Sequence, residues 1–251
     1  MINVNKSFWV VCIAAMLSYA DYNMYGQEKT SKINLSVDVA SSYIWRGLAL
    51  NTSPVLQPSF TFAPGKFSIG AWASTPFTPD EYQEVDIFMN LQFTSSISLC
   101  LTDYFGYNYW GRTPSYFNYQ REETGHVFDL QIAYDGSGGF PVKAMIATII
   151  AGDDLKNEYN NDGKRDKNFS TYIELGYGNT TTKGVDWEIF AGMVPMTSYF
   201  YNITGASFIN LGLEVSKSFV ITPTYSIPLS VKFTVNPAMK TVYLSAAITL
   251  F

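Results

Sequence analysis

From Lys32 to the end of the chain the sequence changes polarity at nearly every residue. In Ile33-Asn34-Leu35-Ser36-Val37-Asp38-Val39 the odd positions are apolar and the even ones polar, and Ile209-Asn210-Leu211-Gly212-Leu213-Glu214-Val215-Ser216 repeats the rule without a break. Val85-Asp86-Ile87-Phe88-Met89-Asn90-Leu91-Gln92-Phe93 departs from it only at Phe88. In Thr171–Tyr177 and Val185–Ile189 carboxylates again lie opposite apolar neighbours. A period of two sends alternate side chains to opposite faces of an extended strand, whereas a helix needs a period near 3.6. The chain is therefore built of amphipathic strands.

Runs bounded by turn residues divide it into about 12 strands of roughly 8–12 residues, with 10 or 14 as the alternatives. They fall near 33–45, 54–63, 67–75, 84–95, 97–109, 126–135, 142–151, 169–179, 185–194, 206–217, 220–235 and 240–251. Short connections, at 63–66, 95–96, 135–139, 179–184 and 216–218, alternate with mostly longer ones at 46–53, 76–83, 110–125, 152–168, 195–205 and 236–240. That alternation is the pattern of an antiparallel transmembrane barrel with tight periplasmic turns and long external loops. A soluble β-barrel would share the periodicity but carry Lys and Glu on its solvent face. Here the polar positions are mainly Ser, Thr, Asn, Gln and Gly, and only 15% of all residues are charged, against roughly 25% in soluble domains. Aromatics gather near strand ends, at Tyr43 and Trp45, Tyr107–Trp110, Tyr116–Tyr119 and Tyr199–Tyr201, as interfacial girdles do.

Residues 1–26 read as a cleaved export signal, with Lys6 before the apolar run Phe8–Leu17. That leaves one barrel domain over 27–251 in the bacterial outer membrane. Trp9-Val10-Val11 before Cys12 lacks the small residues of a lipoprotein site, and Cys100 remains as the single cysteine of the mature chain, without an intramolecular disulfide. Beyond Leu17 no run of about 18 apolar residues could form a membrane helix. A net charge of −5 from 16 basic and 21 acidic residues disfavours nucleic acid as a partner. The expected partners are outer-membrane lipids, small solutes or ions, and the barrel-insertion machinery, which would read the C-terminal strand ending in Phe251. Thr249 and Ala247 stand in register with Phe251, where apolar or aromatic residues are more usual.

The stretch Val39-Ala40-Ser41-Ser42-Tyr43-Ile44-Trp45-Arg46-Gly47-Leu48-Ala49, with Pro54 and Gln57 and then Gly70-Ala71-Trp72-Ala73-Ser74, resembles the opening of the TorF-type porin family. The resemblance covers roughly residues 35–75. It rests on a first strand ending Ser-x-Tyr-x-x-Arg-Gly and a later Gly-x-Trp-x-Ser strand; Ser42 departs from the acidic residue that is commoner there. It implies an outer-membrane barrel of porin type and supplies no substrate.

With the apolar face toward lipid, the opposite face carries Asp38, Asp86, Asp129, Glu174, Asp186, Glu188 and Glu214, against Lys232 within the strands and Arg46 at the mouth. Charge costs less inside the barrel than on its lipid face. These nine residues are the expected pore lining. They support two readings: an acidic lumen that passes cations, as Asp/Glu rings do, or a plug in which the carboxylates are paired and the barrel serves as a structural or surface-binding protein. Arg46 is expected in a structural pairing more than in a gate. The loop Asp153–Asp166 is rich in oxygen ligands, but Glu158 opens the calcium-like pattern and Phe169 stands where its closing Glu belongs, so a solvated loop is expected. His126, the single histidine, lies at the external end of a strand with no nearby serine on that strand and Asp153-Asp154 at the outer end of the next. No catalytic, metal or cofactor site is expected.

Overall fold

The computed structural model describes residues 32–107, 113–137 and 141–251. The export-signal reading of 1–26, Cys12, Trp110 and part of the turn near Gly139 lie outside the described residues. Every regular element described is a strand: β1 (Ile33–Ala40), β2 (Tyr43–Trp45), β3 (Leu48–Asn51), β4 (Val55–Phe62), β5 (Phe67–Pro76), β6 (Gln83–Gln92), β7 (Ile97–Tyr107), β8 (His126–Tyr134), β9 (Val142–Gly152), β10 (Leu155–Tyr159), β11 (Arg165–Lys167), β12 (Thr171–Thr180), β13 (Asp186–Val194), β14 (Ser207–Thr222), β15 (Tyr225–Asn236) and β16 (Thr241–Thr249).

Twelve of them close into one antiparallel barrel in the order β1-β16-β15-β14-β13-β12-β9-β8-β7-β6-β5-β4. The remaining four form two hairpins, β2-β3 and β10-β11, set inside the first and fourth outer connections. The expected barrel of about 12 strands is the one observed. Closure pairs the backbone N–H and C=O groups of each wall strand with a neighbour and leaves no open sheet edge. The closing seam is the shortest: β1 pairs with β16 over Asp38↔Thr249, Val39↔Ile248 and Ala40↔Ala247, whereas β1 pairs with β4 along all eight of its residues. Beyond Ala40 the chain leaves the wall, and Ser41 holds Ala246 through both its amide, 2.8 Å to the Ala246 carbonyl, and its side chain.

Alternation decides which side chains meet. Ile33, Leu35, Phe60, Phe62, Ile69, Met89, Leu213, Phe233 and Leu244 point outward and stay exposed, while Ser36, Asp38, Ser59, Thr61, Ser74, Asp86 and Thr234 point inward and are buried. The outer face is thus apolar, whereas the interior holds the buried polar groups together with an aromatic and aliphatic cluster around Trp45. Phe88, the break in the β6 pattern, faces inward and is buried; Gly70 on the neighbouring strand lacks the Cβ that would collide with its ring.

Two boundaries differ from the expectation. The turn expected at 216–218 lies at Pro223-Thr224, because β14 runs on to Thr222 and pairs with β15 as Ser216↔Ser230 and Ser218↔Pro228. Outward Val215, Phe219 and Ile221 continue the apolar face through that stretch, so cross-strand pairing overrides the local turn preference of Ser-Lys-Ser. The first strand, expected over 33–45, ends at Ala40, and its last residues turn into the barrel interior as β2.

Candidate functional site

The β2-β3 hairpin is made by a two-residue turn, Arg46-Gly47, with Trp45 facing Leu48 and Ile44 facing Ala49. Both turn residues have positive φ, 47° at Arg46 and 80° at Gly47, the mirror-image turn whose twist suits a tight hairpin. Glycine tolerates that conformation freely, and a Cβ at Gly47 would also run into the Ile209 carbonyl. The Arg-Gly pair at the end of the first strand is therefore a hairpin tip, and the tip lies inside the lumen.

Its contacts cross the barrel. One Arg46 Nη donates to the Asp129 carboxylate of β8 at 2.6 Å and the other to the Tyr201 hydroxyl at 2.8 Å. The guanidinium lies 4.5 Å from the Trp45 ring centre and 5.0 Å from that of Tyr172 on β12. Asn236 of β15 donates to the Gly47 carbonyl at 3.0 Å. Trp45 stacks on Tyr201 at 5.8 Å and meets Tyr104 of β7 and Phe200 edge-on. Tyr201 belongs to the outer connection 195–206, which also bends inward; Ser198 and Tyr201 are fully buried. Strands on every side of the barrel thus grip the hairpin, which fills the outer half of the interior. Arg46, expected at the mouth, is one of the most enclosed side chains in the molecule, at 6% exposure.

The remaining interior carboxylates are mostly engaged. Glu188 of β13 accepts from Lys143 of β9 at 2.6 Å. Lys143 is a second strand lysine facing the lumen, which corrects the expectation that Lys232 stands alone there. Its signal was visible: Val142 and Ala144 flank it with the outward apolar period. Glu214 pairs more loosely with Lys232, at 3.6 Å, and Lys232 also lies over the Phe190 ring at 4.7 Å. Glu174 accepts from Asn210 at 2.7 Å and from the Tyr172 hydroxyl. Asp186 shares the inward face of β13 but sits exposed at the turn end, accepting from Thr180 at 2.5 Å, so it belongs to the rim and not to the lumen.

Asp38 and Asp86 are buried without a basic partner among the described residues, and each keeps one carboxylate oxygen unpaired. Beside Asp86 the structure adds Glu84, two residues earlier on the same face and also buried with an unpaired oxygen. Its signal was present, since Glu84 opens the strand expected over 84–95 in phase with Asp86, but the alternation was read only from Val85. Under the hairpin a residual cavity of about 120 Å³ remains, lined by Asp38, Tyr43, Gln57, Trp72, Glu214 and Lys232.

The outer connections are tied down as well. Asp154 accepts from the Ser170 amide and hydroxyl, both at 2.7 Å, and Ser170 meets the Ser198 hydroxyl at 2.6 Å. Burial pushes the Asp154 carboxyl above its ordinary range, against the pull of the Ser170 donors. Tyr199 donates to Glu158 at 2.6 Å and holds that carboxyl below its ordinary range. The oxygen-rich stretch 155–167 is the β10-β11 hairpin, where the Asn160 side chain accepts from the amides of Asp162 and Lys164.

The chain matches no protein-family model and no curated protein sequence. Among solved structures it is similar to Wzi, described as an outer-membrane protein involved in group 1 capsule assembly in Escherichia coli and as a carbohydrate-binding β-barrel. The two share 11% identity with a TM-score of 0.33 over 87% of this chain and 56% of that one, so this chain spans just over half of that protein. The closed barrel rests on the strand register itself.

Proposed function

We propose that this protein is an outer-membrane barrel closed by its own first hairpin, which serves as a structural or surface-binding protein through its outer connections and not as an open diffusion pore. The observation that carries the reading is the Arg46 latch: the hairpin tip is ion-paired to Asp129 and hydrogen-bonded to Asn236 on separate strands of the wall, and to Tyr201 of the inward-bent connection 195–206. The outward face of Leu, Ile, Val, Phe and Met supports a lipid partner, with the polar groups turned inward. An export signal, insertion through the strand ending in Phe251 and the absence of enzymatic activity belong to the same proposal, as does the resemblance to the TorF-type porins.

A second reading, cation-preferring passage, is favoured by one observation. The interior carboxylates Asp38, Glu84, Asp86, Asp129, Glu174, Glu188 and Glu214 outnumber Arg46, Lys143 and Lys232 among the described residues. Passage would require the hairpin to withdraw. Planar-bilayer recording of the refolded barrel across a KCl gradient separates the two. A folded barrel without discrete steps is expected; steps with reversal on the cation side would replace the closed reading by the porin one.

A further inference from the structure

The single histidine carries a piece of chemistry that the lumen does not use. His126 opens β8, where it pairs with Phe105 of β7 and shares the outward face with Phe105, Asp103 and Phe128. An outward polar side chain on this wall is an exception, and it is not left open: His126 is fully buried. The segment 113–125 folds down over it. Tyr119 stacks on the imidazole at 4.3 Å with the planes 17° apart, Tyr116 meets it edge-on at 5.0 Å, and Phe105 closes the third side at 4.8 Å.

Both ring nitrogens face oxygen atoms. Nδ1 lies 2.9 and 3.0 Å from the two oxygens of the Asp103 carboxylate, and Nε2 lies 2.6 Å from the Tyr116 carbonyl oxygen. A carboxylate and a backbone carbonyl are both acceptors. A neutral imidazole has one N–H and one lone pair, so it can satisfy one of them and must turn its lone pair on the other. Only the imidazolium donates to both. Asp103 is the charged group in contact with the ring. On the loop side the titratable neighbours are Tyr116 and Tyr119, and on the β9 side Asp153 approaches through its amide, which donates to the His126 carbonyl at 2.8 Å.

We propose that a proton on His126 pins the outer segment 113–125 to the barrel wall, making this segment a pH-operated element: docked while His126 is an imidazolium, released when it becomes neutral. Loss of one proton leaves a single N–H, which the Asp103 carboxylate holds at Nδ1, so the donor to Tyr116 within the segment is lost and the charge–charge contact with Asp103 ends. Two charge-assisted interactions weaken together around a fully buried ring. What the segment does when docked is visible in its exposure: His126 and Phe105 lie beneath it, while Phe117, 85% exposed, and Tyr119 face outward beside the wall. Release would uncover the polar His126–Asp103 pair and carry that aromatic pair away from the barrel.

Because the chain holds one histidine, its ring can be followed without assignment. Full-length mature protein, free of a polyhistidine tag and labelled with ¹⁵N-histidine, would be titrated from pH 5 to 9 in detergent micelles, with hydrogen exchange of 113–125 measured in parallel. Both ring nitrogens should carry protons at the acid end. After correction for the intrinsic rise of exchange with pH, the protection of 113–125 should fall by about tenfold or more, the worth of one charge-assisted hydrogen bond, at the same midpoint as the ring, while β12 stays protected. His126→Phe keeps the aromatic stack without donors, and its segment should exchange rapidly at every pH. A ring with a single proton at pH 5 overturns the proposal; so does a titration that leaves the protection of 113–125, corrected for the intrinsic rate, unchanged. The readout is independent of conductance, so it stands whichever way the bilayer recording falls.

Discussion

Arg46 shows how one side chain can decide the state of a barrel. It accepts an uncommon positive φ and nearly complete burial, both costly for an arginine. What offsets them is a short ion pair with Asp129, a hydrogen bond to Tyr201 and two aromatic faces. Arg46→Ala leaves the Asp129 carboxylate buried and unpaired, and a loss of about 3–5 kcal/mol is expected, read as a lower guanidinium midpoint of the refolded barrel. Arg46→Lys should recover only part of it, since an ammonium cannot bridge Asp129 and Tyr201 while stacking on both rings. The same logic applies to Lys143: Lys143→Met strands Glu188 and should destabilise, whereas the double change Lys143→Met with Glu188→Gln should restore much of the loss.

At the scale of the element, the β2-β3 hairpin is the part that separates a conduit from a plug. It belongs to no wall pairing; β1 pairs fully with β4 without it, and β16 closes on β1 below it. Replacing 42–52 with a short Gly/Ser connection should therefore leave the barrel able to fold, checked by heat-modifiable migration on a gel. The same replacement should open discrete conductance steps where the complete chain gives none. Reversal should lie on the cation side, because the deletion removes Arg46 and leaves the interior carboxylates behind. The β14 extension is an element-scale lesson of another kind. Ser216-Lys217-Ser218 has the composition of a turn, yet Ser216 and Ser218 are paired residues of a sixteen-residue strand.

For the whole molecule, the apolar outer face is the governing fact. Leu213, outward on β14 between Ile189 and Phe233, lies in the band expected to meet lipid. Leu213→Lys should cost about 2–4 kcal/mol if that position is near the bilayer midplane. Ser230→Lys, facing the residual cavity from β15, should cost well under that. Equilibrium refolding into lipid vesicles measures both. Equal costs would contradict a membrane-facing outer wall.

Much of this architecture is legible in the sequence because strand alternation is a local property: each residue's polarity declares its face, and turn residues declare where strands end. The all-β class, the count of about 12 and the lumen facing of Asp38, Asp129, Glu174 and Glu214 could all be read that way. The outcome inside the barrel could not. Whether Arg46 stands at a mouth or crosses the interior to Asp129, 83 residues away in the chain, depends on the space that twelve strands enclose. Whether Glu188 is free or paired depends on Lys143 lying opposite it across β12, and what the His126 ring meets depends on a carbonyl brought over it by a loop. Periodicity fixes the direction in which a side chain points; only closure of the barrel determines what it meets there.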